Sequence, residues 1–305
     1  MAAPMRQSLA RGALYMVVSA LFFAGMSAAV KAAAATLPNT MVVFFRNAVG
    51  LAAILPWVLH RGEAAFRTER LPEHLIRGLG GLAAMYCFFF AIAHLRLADA
   101  VLLNYTLPLF LPAVERLWLA EPIPKHLAWP LGIGFVGILF ILKPGTGLFQ
   151  APALVGLAAA VFAAVAQVGI RNLTRTEPTL RIVFYFALIA TAVSALPLPF
   201  TWRSPSPAAW AALVASGLLA TVGQVLLTQA YASAPAAQVG PFLYASVVFS
   251  GLLDWIFWRT LPDGLFLIGA ALVTAAAVVA LRRRRGPVPA GLNPAVRPGG
   301  GAAQG

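Results

Sequence analysis

Charge is scarce in this chain. Only 10% of its 305 residues are Asp, Glu, Lys or Arg, where a soluble globular domain carries roughly 25%. Acids are the scarcer sign, nine against 22 Lys and Arg, and none stands at the middle of an apolar segment. Cysteine is reduced to Cys87, which excludes an intrachain disulfide and a cysteine metal site. The four histidines, His60, His74, His94 and His126, stand far apart at segment edges. No HExxH, GxSxG or phosphate-cradling glycine loop occurs, so an enzyme is not expected and no cofactor or metal is implied. The ring of equivalent pore residues that a channel needs is also missing.

Apolar residues fill the space that charge leaves. They make up 61% of the chain, and so much apolar surface needs lipid as its solvent. A helix crosses the hydrocarbon core with about 20 apolar residues and satisfies its own backbone hydrogen bonds there. Runs bounded by Pro, Gly and charge predict Ala13–Ala34, Thr40–Leu59, Leu75–Leu95, Ala100–Ala120 and His126–Leu142 in the first half. In the second half they predict Pro152–Ile170, Leu180–Phe200, Pro207–Ala232, Ala236–Trp258 and Asp263–Leu281. The polar interval from Arg61 to Arg77 is too short for a separate fold. The expectation is an all-α membrane protein of ten transmembrane helices. Its parts are a cytoplasmic N-terminus (1–12), two five-helix units (13–142 and 152–281) and a basic, disordered cytoplasmic tail (282–305).

A net charge of +13 raises the question of nucleic acid, but the basic residues sit at helix ends without interleaved surface aromatics. They read as topology signals. With the N-terminus inside, sixteen of the 22 Lys and Arg fall on the cytoplasmic side and six on the other, which predicts an inner-membrane protein with both termini cytoplasmic.

The two halves repeat. Sliding the sequence by 140 positions pairs Phe22 with Phe162, Lys31 with Arg171, Pro38 with Pro178 and Phe45 with Tyr185. A shift of 139 pairs Tyr105 with Tyr244 and Glu115 with Asp254, while Pro122 meets Leu261 as a mismatch. Five helices is an odd number, so the second unit enters from the opposite face and the repeats are inverted, the architecture of a transporter that alternates access to a central site. Loss of the first segment as a signal peptide would leave Pro152–Ile170 without a counterpart, so that segment is expected to stay.

Several ordered motifs carry a family resemblance from Gly12 to Arg283. They are Lys31 with Val43-Phe44-Phe45-Arg46, Asp99-Ala100, Tyr105-Thr106-Leu107-Pro108 and Leu119-Ala120-Glu121-Pro122, then Gly223-Gln224, Gln229-Ala230-Tyr231, Ala234-Pro235-Ala236 and Pro241-Phe242-Leu243-Tyr244. In this order they resemble the ten-helix drug/metabolite transporter superfamily, EamA branch. The resemblance implies a metabolite carrier, export favoured, without naming a cargo. Phe44-Phe45-Arg46 and Arg77-Gly78-Leu79 also resemble the S-adenosylmethionine uptake group, which keeps uptake open. Many relatives repeat a Gly-Glu-x-Pro ending in the second half, where this chain has Trp258-Arg259-Thr260-Leu261-Pro262.

For the site, interrupted helices at matching positions are the best pointer. Pro108 and Pro112 interrupt the fourth segment and Gly240-Pro241 the ninth. Nearby Asn104, Tyr105 and Tyr244 are candidate substrate contacts, or else the polar groups that cap the kinks. Tyr86, Gln167 and Gln224 are further candidates, since an unpaired amide or phenol at depth is costly. Lys31 and Arg46 are basic candidates near the outer mouth, for substrate attraction or for snorkelling. Glu115 and Asp254 are the carboxylate coupling candidates, against plain ion pairs with Arg116 or Arg259. The expected partners are a small-molecule substrate and the lipid bilayer. The small-residue face of Gly78, Gly80, Gly81 and Ala84 serves either a homodimer or packing within the chain.

Overall fold

Pro38 and Pro178 each hold the residue before a helix in extended backbone, at φ −61° ψ 143° and φ −68° ψ 145°. Ala120 and Arg259 each end a helix in the left-handed conformation, at φ 53° and φ 57°. Among the described residues they are the only non-glycine positions with positive φ. These residues lie 140 and 139 apart, the two registers in which the halves align, so the same local backbone devices start and stop matching helices.

The computed structural model describes residues 8–62, 66–94, 103–121, 127–142, 151–259 and 263–282. Their regular structure is helical throughout, with no strand among them. The longer helices are α1 (Leu9–Ala34), α2 (Asn39–Arg61), α3 (Leu71–His94), α4 (Leu107–Leu119) and α5 (Ala128–Leu142) in the first half. In the second they are α6 (Pro152–Leu173), α7 (Thr179–Ser194), α8 (Pro207–Ser233), α9 (Ala245–Trp258) and α10 (Gly264–Arg282). Among the described residues, five spans are long and apolar enough to cross a membrane: α1, α2, α6, α8 and the stretch Ala236–Phe257. The expected segment starts at Ala100 and His126, and most of the N-terminal stretch and basic tail, lie outside the described residues.

Three expected spans differ. The seventh stops at Ser194, because Pro197 and Pro199 cannot donate to a continuing helix, and only a turn, Leu198–Thr201, follows. The fourth breaks at Tyr105–Thr106, where the Thr106 hydroxyl donates to the Leu103 carbonyl at 2.6 Å before α4 begins. The ninth is not one helix but a short turn (Ala236–Val239), a 3-10 segment (Gly240–Tyr244) and α9. Pro241 withholds the amide that a continuous helix would need.

Packing follows a reciprocal scheme. α1 lies along α8 as α6 lies along α3, α2 meets α8 as α7 meets α3, and α1 meets α9 as α6 meets α4. α2 also meets α7 and α5 meets α10. Small residues permit these crossings. The Ser19 hydroxyl of α1 donates to the Gly223 carbonyl of α8 at 2.8 Å, and a Cβ on Gly223 would press the Phe23 ring at 3.1 Å. Gly78 faces Ile189 of α7 and Gly80 faces Ala166 of α6, so this small-residue face is used inside the chain.

The outside is apolar. Leu117 is 87% exposed and Leu154 73%, a surface suited to lipid rather than water. Polar groups turn inward: Ser19, Arg46, Asn47, Arg77, Ser216 and Thr228 are buried.

Candidate functional site

Two arginines occupy the interior. Arg46 stands seven residues into α2, about 10 Å of helix rise from its start, and is 9% exposed. Its Nε donates to the thioether of Met26 at 3.1 Å, and its Nη1 to Oδ1 of Asn47 at 3.2 Å, with the Met85 sulfur at 4.0 Å. Thioethers are weak acceptors. Asn47 is itself fixed by donating Nδ2 to the Val43 carbonyl at 2.9 Å, so its oxygen is held toward the guanidinium.

Arg77 stands six residues into α3, because the helix starts at Leu71-Pro72, earlier than expected. It is 4% exposed. Its Nη2 donates to Oε1 of Gln224 on α8 at 2.9 Å, and its guanidinium carbon lies 3.9 Å from the centre of the Phe186 ring on α7. Gly81, one turn on, leaves the space for this: a Cβ there would come within 2.6 Å of Nη1. Nε of Arg77 is buried without a hydrogen-bond partner. The two guanidiniums lie within electrostatic reach of each other, and Arg77 also of Tyr231.

A small cleft, partly open to the surface, lies between α2, α7 and α8. Arg46, Asn47, Phe186, Thr221 and Gln224 are on its wall. Beyond Gln224 the polar seam continues: Tyr231 of α8 is fully buried and its hydroxyl donates to the side-chain oxygen of Gln167 on α6.

The carboxylates are engaged elsewhere. Glu73 pairs with Arg70 at 2.7 Å, Glu121 with Arg175 at 2.5 Å and Glu177 with Arg181 at 2.5 Å. Both oxygens of Glu115 accept backbone amides, from Ala236 and from Ala237 at 2.9 Å. Instead of an ion pair with Arg116, this coupling candidate holds the start of the broken ninth segment, while Arg116 reaches the Ala120 carbonyl. The side chain of Asp254, on α9, lies outside the described residues.

The other candidates divide into groups. Gln167 and Gln224 belong to the arginine seam. Tyr105 and Tyr244 share a second cluster with Ile138, Val247 and Val273. There the Tyr105 and Ser246 hydroxyls are hydrogen-bonded, half-buried Asn104 adjoins them in sequence, and the Tyr244 hydroxyl is buried without a partner. Tyr86 is half-buried on α3. Lys31 is exposed in the last turn of α1, so it does not share the buried surroundings of Arg46.

Sequence reasoning placed Arg77 among the cytoplasmic charges and in an element resembling the S-adenosylmethionine uptake group, but not among the site candidates, and passed over Asn47 and Phe186. Pro72, tolerated in the first turn of a helix, was the available signal that α3 starts early enough to carry Arg77 inward.

An all-helical bundle with an apolar exterior and a charged interior defines a multi-pass membrane protein. The EamA-like transporter family matches residues 10–143 and 150–282, and the chain belongs to that family. It is 38% identical over 283 residues to the pseudopaline exporter CntI of Pseudomonas aeruginosa, covering 91% of this chain and 98% of that protein. A riboflavin transporter of Vibrio cholerae is 27% identical over 268 residues, covering 86% and 90%. An S-adenosylmethionine uptake transporter of Rickettsia felis is 26% identical over 236 residues, covering 77% and 80%. A solved crystal structure superimposes with a TM-score of 0.79 at 24% identity, covering 90% of this chain and 99% of that one, which establishes the shared fold. The protein is a membrane transporter of the drug/metabolite superfamily and not an enzyme.

Proposed function

We propose that this protein is a secondary transporter that exports a small polar or amphiphilic metabolite across the inner membrane by alternating access. Ten crossings form two inverted five-helix repeats with both termini in the cytoplasm. The observation that carries the reading is the reciprocal packing, in which the main contacts between halves, α1 with α8, α2 with α8 and α1 with α9, have counterparts when α1–α5 and α6–α10 are exchanged. A bundle built this way has two conformations of similar energy that open the same interior to opposite faces. Substrate meets the polar seam through Gln167 and Gln224, and the helix breaks bring Asn104, Tyr105 and Tyr244 to the path, with Tyr86 beside it.

Export is favoured by the identity to an exporter over nearly the whole chain. Uptake is the second reading, favoured by the relatives that take up S-adenosylmethionine. Flux in vesicles decides. Everted membrane vesicles containing the protein should accumulate pseudopaline, riboflavin or S-adenosylmethionine above control vesicles if it exports one of them. Accumulation only in right-side-out vesicles would reverse the direction. Impermeant maleimide should fail to label single cysteines placed at either terminus in a Cys87→Ser background in intact cells, and labelling of one terminus alone would overturn the even number of crossings.

A further inference from the structure

We infer that Arg46 and Arg77, with Asn47 and Gln224, form a binding site for the oxyanion group of the transported molecule, so that the cargo is a small organic anion. The inference rests on the transport reading above and names the class of its substrate.

Among the described residues neither guanidinium has an ion-pair partner; Glu73, Glu121 and Glu177 pair with other arginines and Glu115 is held by backbone amides. Two unneutralised charges inside a membrane bundle are costly unless a counter-charge arrives. What surrounds them is poor compensation: two sulfurs, two side-chain amides and one aromatic face. Arg77 keeps a buried Nε–H with no acceptor. The arginine fork matches carboxylate and phosphate geometry, and the cleft beside Arg46 is bounded by the amides of Asn47 and Gln224, which supply further donors and orientation.

The duplication sharpens the case. At a shift of 140, Arg46 corresponds to Phe186, the ring on which Arg77 stacks. One half therefore supplies the charge at a position where the other supplies an apolar wall. A purely structural arginine has no need of that arrangement, since an aromatic residue fills the matching position without it.

The test uses the detergent-purified full-length protein and measures stabilisation against ligand concentration, since a ligand that binds the folded state raises its melting temperature. The probes are citrate for carboxylate, glycerol 3-phosphate for phosphate, and trimethyl citrate as the uncharged match in shape. Wild-type protein should be stabilised by citrate or by glycerol 3-phosphate, whichever group the cargo carries, and not by trimethyl citrate. Arg46→Gln and Arg77→Gln should each weaken that binding by about tenfold or more, with Arg46→Lys intermediate. Should a variant fail to fold, the wild-type contrast between citrate and its ester still decides. No stabilisation by either anion, equal stabilisation by the ester, or unchanged affinity in both Gln variants overturns the site. Flux separates this from the transport reading. Arginine-dependent anion binding without flux sinks transport and keeps the site, whereas flux of a neutral or cationic compound that both Gln variants sustain does the reverse.

Discussion

The ring of Tyr244 lies so close to Gly134 of α5 that a Cβ on the glycine would come within 2.7 Å of Cε2. Tyr244 is fully buried and has nowhere to retreat. Gly134→Ala should therefore destabilise the protein by about 1–3 kcal/mol, seen as a lower melting temperature by intrinsic fluorescence. Gly132, one half-turn away with nothing within 4 Å of its Cβ position, is the control: Gly132→Ala should leave stability equal or slightly higher. An unchanged melting temperature for Gly134→Ala would mean that the ring is not packed there.

The Tyr244 hydroxyl, buried without a partner, separates binding from packing. Replacing the whole side chain with Ala empties a core position at a cost of about 3–5 kcal/mol, so lost transport in Tyr244→Ala would say little. Tyr244→Phe removes only the hydroxyl and should be as stable as the parent or more so. Transport should nonetheless fall severalfold if substrate is the missing partner. Full flux through Tyr244→Phe would remove this hydroxyl from the site.

Glu115 offers a similar separation. Glu115→Ala leaves the Ala236 and Ala237 amides unsatisfied in a buried setting, at about 1–3 kcal/mol each. Glu115→Gln retains one carbonyl oxygen and should lose clearly less. If the carboxylate serves only as this clamp, proton-driven flux survives in Glu115→Gln. Abolished flux in a Glu115→Gln protein of near-normal melting temperature would instead make it the coupling acid.

Gly217 of α8 faces α2 at close range, with Val49 Cγ1 2.6 Å and the Arg46 carbonyl 3.1 Å from the position of an added Cβ. Gly217→Ala should push α2 outward and carry Arg46 with it, weakening citrate or phosphate-ester binding several-fold as well as lowering the melting temperature. Gly25→Ala, which meets Leu219 at an ordinary 3.5 Å, should change neither. Normal anion affinity in Gly217→Ala would show that the position of Arg46 does not depend on this crossing.

The first, second, sixth and eighth spans were legible because a membrane helix needs a long apolar run, and such runs leave few alternatives. The break in the ninth segment was legible too, since Gly240-Pro241 cannot continue a helix. The arginine seam was not. Arg77 lies close enough to the end of its apolar run to pass for an interfacial charge, and its partner Gln224 is 147 residues away. Glu115 posed a related difficulty, because the donors its carboxylate accepts from were backbone amides 121 and 122 residues further along. Side-chain type and spacing do not encode that kind of partner.

The correspondence of Arg46 with Phe186 has an electrical consequence. An exchange of the two halves that restores the backbone cannot restore the charge, because the guanidiniums travel with the first half alone. Under the proposed alternating access, the empty carrier would bear about two positive charges whose depth in the membrane changes between its two states, and voltage would act on each by as much as about 2.3 kcal/mol per 100 mV for a full crossing. A bound dianion cancels that charge. Under the proposed alternating access and anion site, the membrane potential would act on the unloaded return step, which would register as a transient current in the absence of substrate, diminished in Arg46→Gln, while the loaded step would proceed almost indifferent to voltage.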